Sequence, residues 1–295
     1  MPNHKRFAIN GETVILDDQV RSSAPGQFIQ LSDGMTFYEI SGPENGKPIV
    51  FINGYSISSH LWDHNFAPLA EAGFRVLRFD FFGRGYSDRP DIEYGADLFD
   101  RQLSELIHAL KIACPINLIG SSMGGAVAAI FADRHPEQVD KLILIDPAGM
   151  MPPPTYPTKF MHVPVLGEVV LHAAGNRFII PGMEQDLLHP ENHPEYISNY
   201  IIQMKFIGFK RAILSTMRSQ ILYSQHDTFK RVGQQDRSIL LLWGREDFTI
   251  PLYIGEQIKG LLPQAVFRVI DDAGHVPHYE CPNVVNPIVI DFLRA

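Results

Sequence analysis

One serine stands in a setting that chemistry could use. Gly120-Ser121-Ser122-Met123-Gly124-Gly125 follows the apolar run Ile116 to Ile119 and precedes a segment rich in Ala and Ile. This is G-x-S-x-G between a strand and a helix, the setting of a nucleophile on a strained turn. The reason is steric: only small residues two before and two after the serine let strand and helix approach that closely. Ser122 would then sit at the C-terminal edge of a sheet, with the positive end of the next helix facing the developing charge. A serine nucleophile needs a base, and the base needs an orienting carboxylate. Trp243-Gly244-Arg245-Glu246-Asp247 closes a later apolar run, with Pro251 shortly after, and Asp271-Asp272-Ala273-Gly274-His275 closes the next. Serine, acid and histidine thus occur in that order, each just past a strand end, where an open α/β sheet places its sites.

The elements that must position these residues are legible as short apolar runs. Gln27 to Leu31 and Thr36 to Ile40 flank the turn-forming Ser32-Asp33-Gly34 and read as a hairpin. Ile49 to Ile52, Arg75 to Phe79, Ile116 to Ile119, Leu142 to Ile145 and Ile239 to Trp243 are bounded by Gly, Asp or Pro, as strands buried on both faces are; Val266 to Ile270 is a less continuous sixth. Leu98, Leu103, Leu106, Ile107 and Leu110, and then Val127, Ile130 and Phe131, recur at helical spacing between them. The fold expected is α/β, a mostly parallel doubly wound sheet. Its alternation breaks between Gly149 and Arg237. Met150 to Pro157 is a Pro-rich exit, and Ile197, Tyr200, Ile201 and Met204, then Ile213, Met217 and Ile221, line amphipathic helices. Residues 1–149 and 237–295 are expected to form the core, and residues 150–236 a helical cap over the strand ends.

The 295 residues include 45 % hydrophobic and 20 % charged, which supports a sizeable core and excludes disorder. With 25 Lys and Arg against 33 Asp and Glu, the formal net charge is -8, which argues against nucleic acid or an anionic membrane as partner. Cys114 and Cys281 cannot build a disulfide scaffold or a Cys-rich zinc site, and both are expected to be buried thiols in a reduced setting. The basic Met1 to Asn10 has no apolar h-region behind it, and no run reaches the ~18 residues of a membrane span. A soluble, cytoplasmic protein without integral membrane association is expected; the oligomeric state is not readable.

From about Gln27 to Ala295 the chain resembles the α/β-hydrolase superfamily. Asn53-Gly54, Asp80 to Ser87 (DFFGRGYS), Gly120 to Gly125, Trp243 to Pro251 and Gly274-His275 carry the likeness. The resemblance implies Ser122 as nucleophile, Asp247 as triad acid, His275 as general base, and a cap between the sixth and seventh strands. It also implies an oxyanion hole made by the backbone N–H groups of Met123 and Tyr55. The oxyanion loop usually begins His-Gly, whereas here it reads Asn53-Gly54-Tyr55-Ser56, leaving its side-chain support open.

Competitors exist for several roles. Glu246 adjoins Asp247, but the pattern Trp-Gly-x-x-Asp selects Asp247; Asp146 follows the preceding strand, where some relatives carry the acid. His278 follows His275 by three residues but does not follow the Ala-Gly turn. Asp80 and Arg84 fit a structural turn. His60 and His64 have the spacing of a zinc pair but lack the H-E-x-x-H glutamate, which leaves a surface or capping role and no metal site. Gly83 and Gly85 do not extend to a dinucleotide fingerprint. Arg177, Lys205, Lys210, Arg211 and Arg218 read as the solvated face of the insertion.

Serine at the elbow argues for acyl transfer over the epoxide and halide chemistry of relatives with aspartate there. Met123 replaces the Trp of proline-iminopeptidase relatives, and Val276 the Trp that follows the histidine in carbon–carbon bond hydrolases. With Asp146-Pro147-Ala148-Gly149, the chain looks most like the carboxylesterase and monoacylglycerol-lipase branch. A cofactor-free hydrolase of small-molecule esters is expected, with Gly54, Phe160, Phe178, Met204 and Met217 as candidate substrate contacts; Ile179 and Phe206 could add to an apolar acyl pocket. Two alternatives stay open: a carbon–carbon bond hydrolase of meta-cleavage type, in which Arg218 could anchor a carboxylate, and a ligand-binding scaffold without turnover.

Overall fold

The computed structural model describes residues 11–152 and 158–295, so Met1 to Asn10 and most of the Pro-rich exit lie outside the described residues. Eight strands form one sheet: β1 (Gln27–Leu31), β2 (Gly34–Ser41), β3 (Pro48–Ile52), β4 (Arg75–Phe79), β5 (Ile116–Ser121), β6 (Val139–Ile145), β7 (Ile239–Gly244) and β8 (Val266–Ile270). Their order across the sheet is β1-β2-β4-β3-β5-β6-β7-β8. The first two pairings, β1 with β2 and β2 with β4, are antiparallel, and all the others are parallel. The expected strands are all present, and the expected α/β class holds.

The apolar runs divide their side chains between two cores, one on each face of the sheet. Val50, Ile52, Leu118, Leu142, Leu144 and Leu241 face one core, while Ile49, Phe51, Ile119, Ile143, Ile145 and Leu240 face the other. This is the period-2 alternation of a strand buried on both sides. Each such side chain contributes about 1.5–3 kcal/mol by leaving water. β8 is the edge, and only its Ile270 is fully buried, which explains the weaker apolar pattern of that run.

The helix Ala96–Ala109 packs Leu98, Phe99, Leu103, Leu106 and Ile107 inward, and the helix Met123–Arg134 is buried along most of its length. Between β6 and β7 the chain leaves the sheet for a helical insertion, with helices at Leu166–Glu184, Pro194–Met204, Phe209–Arg218 and His226–Val232. Two details differ from the sequence pattern. The Pro194–Met204 helix buries Tyr196, Tyr200, Gln203 and Met204, leaving Ile197 and Ile201 half-buried, because its tyrosines meet the rings of Tyr279 and Phe209. The next helix ends at Arg218, since Ser219 turns to extended backbone, so Ile221 lies beyond it.

The described insertion is not simply a solvated shell. Lys210 is buried, Arg211 bonds the carbonyls of Arg89 and Pro90, and Arg218 is bound to Glu168 and to the carbonyls of Met161 and Val163. The cysteines are also less buried than expected: Cys114, in the loop before β5, is exposed, and Cys281 is half-buried. No helix among the described residues is long and apolar enough to cross a membrane.

Candidate active site

Ser122 stands between β5 and the helix Met123–Arg134 with φ 55° and ψ -122°, a conformation that strains any residue with a Cβ. The surrounding backbone holds it there. Ser122 N donates to Ile145 O at 2.9 Å, and its carbonyl accepts from Gly125 N and Ala148 N. The flanking glycines are sterically required. A Cβ on Gly120 would lie 2.3 Å from Gly124 O, and one on Gly124 would lie 2.1 Å from Ile52 O. The helix therefore crosses directly over the end of β3, beside the loop that carries Gly54 and Tyr55.

His275 follows β8 and is 3 % exposed. Its Nδ1 meets Asp247 Oδ2 at 2.7 Å, while Asp247 Oδ1 accepts from the backbone N–H groups of Thr249 and Ile250 at 2.8 Å. Asp247 is thus fixed by the turn it occupies, and it in turn fixes the imidazole. Burial alone would hold His275 down. The Asp247 carboxylate, through its charge and hydrogen bond and with the charges of Asp186 and Glu280, instead carries it from 6.5 up to about 9. His278, the neighbouring alternative, lies with its ring against Trp62, and burial drives it down to about 3.

Asp146, the alternative acid, ends up in the same cluster. Donor atoms of Asp146, Asp247 and His275 lie within 4.8 Å of one another. Asp146 adopts φ 42°, its Oδ1 accepts from Gly244 N at 2.9 Å, and its buried Oδ2 meets no donor among the described residues. Burial, and then the Asp247 charge, hold its carboxyl well above the usual range. Direct contact with the histidine belongs to Asp247.

The loop after β3 is supported by groups that the sequence left open. Asn53 is buried; its Nδ2 donates to Phe79 O at 2.6 Å and its Oδ1 accepts from Trp62 Nε1 at 2.9 Å. Arg84 is fully buried and donates to Tyr55 O from Nε at 2.9 Å and again from Nη2, which also reaches Thr216 Oγ1 of the insertion at 2.9 Å. Burial lowers its pKa to about 10. Gln203, also from the insertion, donates to Ser56 O at 3.0 Å. Asp80 accepts from the N–H groups of Ser59 and Tyr86, a structural turn whose crowding leaves no room for a Cβ on Gly85.

A cavity of about 400 Å³ joins these elements. Gly54, Tyr55, Ser122, Met217, Ile179 and His275 line it, together with Met183, Leu171, Tyr196, Tyr200, Ile213 and Asp186. Several expected contacts lie elsewhere. Phe160 is 45 % exposed: its neighbour Met161 faces the cavity, and successive residues of a 3₁₀ turn point in different directions. Met204, at the far end of its helix, packs into the core two turns beyond the cavity-lining Tyr196, and Phe206 packs against Tyr86. The Phe178 side chain lies outside the described residues. Arg218 does not line the cavity, because its guanidinium is engaged by Glu168. His60 and His64 are packed in an aromatic cluster rather than at the surface, with His60 against Tyr196 and His64 stacked on Tyr279.

Two functional-looking acids escaped the sequence reading. Asp186 follows the helix Leu166–Glu184 in the insertion, which has no motif around it; its carbonyl accepts from His275 N at 2.8 Å. Glu280, five residues after His275, accepts from Gly274 N at 2.7 Å and from Leu188 N at 2.6 Å, tying the histidine loop to the insertion.

Known proteins are similar to this chain over nearly its whole length. The chain is 28 % identical over 275 residues to a 2-hydroxy-6-oxo-6-phenylhexa-2,4-dienoate hydrolase of Comamonas testosteroni, covering 90 % of this chain and 93 % of that one. It is 25 % identical over 276 residues to the AB hydrolase superfamily protein YisY of Bacillus subtilis (strain 168), covering 92 % of this chain and all of that one. Among solved structures, a thermophilic esterase from Thermogutta terrifontis superposes with a TM-score of 0.77 at 25 % identity, over 92 % of this chain and 98 % of that one. These similarities do not single out the esterase and lipase branch. The model of the alpha/beta hydrolase family matches residues 49–288, from β3 to the last helix, and the chain belongs to that family.

Proposed function

We propose that the protein hydrolyses carboxylic esters with apolar acyl groups through an acyl-enzyme on Ser122. Ser122 attacks the ester carbonyl as His275 takes its proton, and Asp247 orients and stabilises the imidazolium. The backbone N–H groups of Tyr55 and Met123 receive the oxyanion, each worth on the order of 10²–10³ in rate. His275 then protonates the leaving alcohol, and water, activated by the same histidine, releases the acid. These steps call on no metal or cofactor. Residues 150–236 act as the cap, with Ile179, Met183, Leu171, Ile213 and Met217 supplying the acyl pocket.

The observation that carries this reading is the lining of the cavity. It is largely apolar, and among the described residues it contains no Lys or Arg. A carbon–carbon bond hydrolase is the second reading, favoured by the dienoate hydrolase among the relatives. Its substrate is a carboxylate, and Arg218, the expected anchor, is bound to Glu168 instead. A family of p-nitrophenyl and monoacylglycerol esters, offered to the wild type and to Ser122→Ala with folding checked by circular dichroism, tests the proposal. Multiple turnovers that vanish in Ser122→Ala are expected, and the chain-length profile sizes the pocket. Turnover of a dienoate ring-fission product without turnover of any ester would refute it.

A further inference from the structure

One polar feature of the cavity has no part in the hydrolytic steps above. Among the described lining residues Asp186 is the one carboxylate, set among Met183, Ile179, Tyr196 and Val276. Its Oδ1 accepts from Thr249 Oγ1 at 2.8 Å, while Oδ2 makes no hydrogen bond among the described residues. The side chain is not needed to close the insertion onto the histidine loop. The Asp186 carbonyl binds His275 N, and Glu280 binds the Leu188 and Gly274 N–H groups. An apolar residue at 186 would leave those backbone contacts intact and spare the desolvation of a carboxylate. A half-satisfied carboxylate in a cavity wall, beside the base, faces the bound substrate.

We propose that Asp186 sets the charge class of the substrate, so that the site takes uncharged esters and turns away those carrying a carboxylate on the acyl chain. This rests on the ester-hydrolase reading and deepens it. Two effects act together. A substrate carboxylate entering the cavity meets a like charge, and it meets no Lys or Arg among the described lining residues to offset that charge. In a site partly shielded from water, one such like-charge contact costs about tenfold or more in affinity. The cation that faces the cavity, the His275 imidazolium, is already paired with Asp247 at 2.7 Å, so the selection falls to the Asp186 side chain.

The test uses two esters of equal acyl length, p-nitrophenyl hexanoate and mono-p-nitrophenyl adipate, with the ratio of their kcat/KM values as the readout. A general loss of activity cancels in that ratio. Wild type is expected to prefer the hexanoate strongly. Asp186→Asn keeps an oxygen to accept from Thr249 and removes the charge, and should narrow the preference by about tenfold, chiefly through KM for the adipate. Thr249→Ala removes the same hydrogen bond while keeping the charge, and should leave the preference standing. Equal use of both esters by the wild type, or an unchanged ratio in Asp186→Asn, overturns the proposal while leaving the ester reading intact. A wild type that turns over neither ester refutes both.

Discussion

His275 is surrounded by acids, and this makes a specific demand on pH. Asp247, Asp186 and Glu280 together outweigh the burial that would keep the imidazole neutral, and hold it at about 9; the neighbouring His278 stays uncharged. A protonated imidazole cannot accept the Ser122 proton. At pH 7, two units below that value, only about 1 % of the free enzyme carries the neutral base. The kcat/KM for p-nitrophenyl butyrate should therefore rise about tenfold per pH unit and level off near pH 9. Initial rates between pH 6 and 10.5 in buffers of constant ionic strength give the profile. Asp247→Asn should remove the main source of the raised value, shift the rising limb to lower pH, and cut kcat by on the order of 10⁴. The same group predicts a change in stability. Because the folded state holds the proton more tightly than the unfolded chain, the contribution is fully present below pH 6.5 and is lost as pH rises through about 9. The shift of 2.5 units (from 6.5 to about 9) corresponds to about 3 kcal/mol, enough to lower Tm by several degrees between pH 7 and 10. A rising limb centred at pH 6.5 or below in the wild type would refute the reasoning, because the acids would then not be charging the histidine.

The backbone around the nucleophile supports further tests. Ser122→Gly should abolish turnover yet raise stability by about 1 kcal/mol, or about 2 °C in Tm, since relief of the strained conformation exceeds the entropy cost of glycine. A denaturant melt measures it, and a destabilised variant would mean that Ser122 is not strained. Gly124→Ala should cost about 3 kcal/mol or yield no folded protein, because its Cβ would lie 2.1 Å from Ile52 O. Gly260→Ala, on a helix with nothing within 4 Å, should instead be neutral or stabilise by up to about 1 kcal/mol, which separates the clash from any general effect of substitution. Asn53→Ala leaves the Trp62 Nε1–H and the Phe79 carbonyl without their buried partner; a loss of about 2–4 kcal/mol, with kcat falling more than KM changes, is expected from melts and steady-state kinetics.

The core, and the places of Ser122, Asp247 and His275 just past strand ends, were legible because their causes are local. Runs such as Ile49 to Ile52 and Ile239 to Trp243 must be strands buried on two faces, and the glycines beside Ser122 record the crossing of a helix over a strand. Asn53 could not be interpreted alone, since its work is done by Phe79 and Trp62, which are distant in sequence. The insertion was the least readable part. Its apolar residues have helical spacing, but spacing cannot say whether a side chain faces the cavity, as Met217 does, or the core, as Met204 does. Asp186 and Glu280 lie in no periodic pattern, so only the folded chain brings them to the histidine. The two cysteines were misjudged because thiol burial depends on where the loop before β5 and the turn after His275 come to rest.

Arg84 spans the divide between sheet and insertion. Its hydrogen bonds go to carbonyl and hydroxyl oxygens, among them Tyr55 O on the loop after β3 and Thr216 Oγ1 of the insertion. Grafting the corresponding segment of a relative onto this scaffold would therefore disturb more than pocket shape. Without a hydroxyl at the position of Thr216, Nη2 of this buried cation loses one of its two acceptors and keeps Tyr55 O, so the disturbance passes directly to that peptide. Replacement of the insertion thus carries a built-in requirement: the incoming segment must bring a hydrogen-bond acceptor for Arg84, or the loop after β3 will be disturbed along with the cavity.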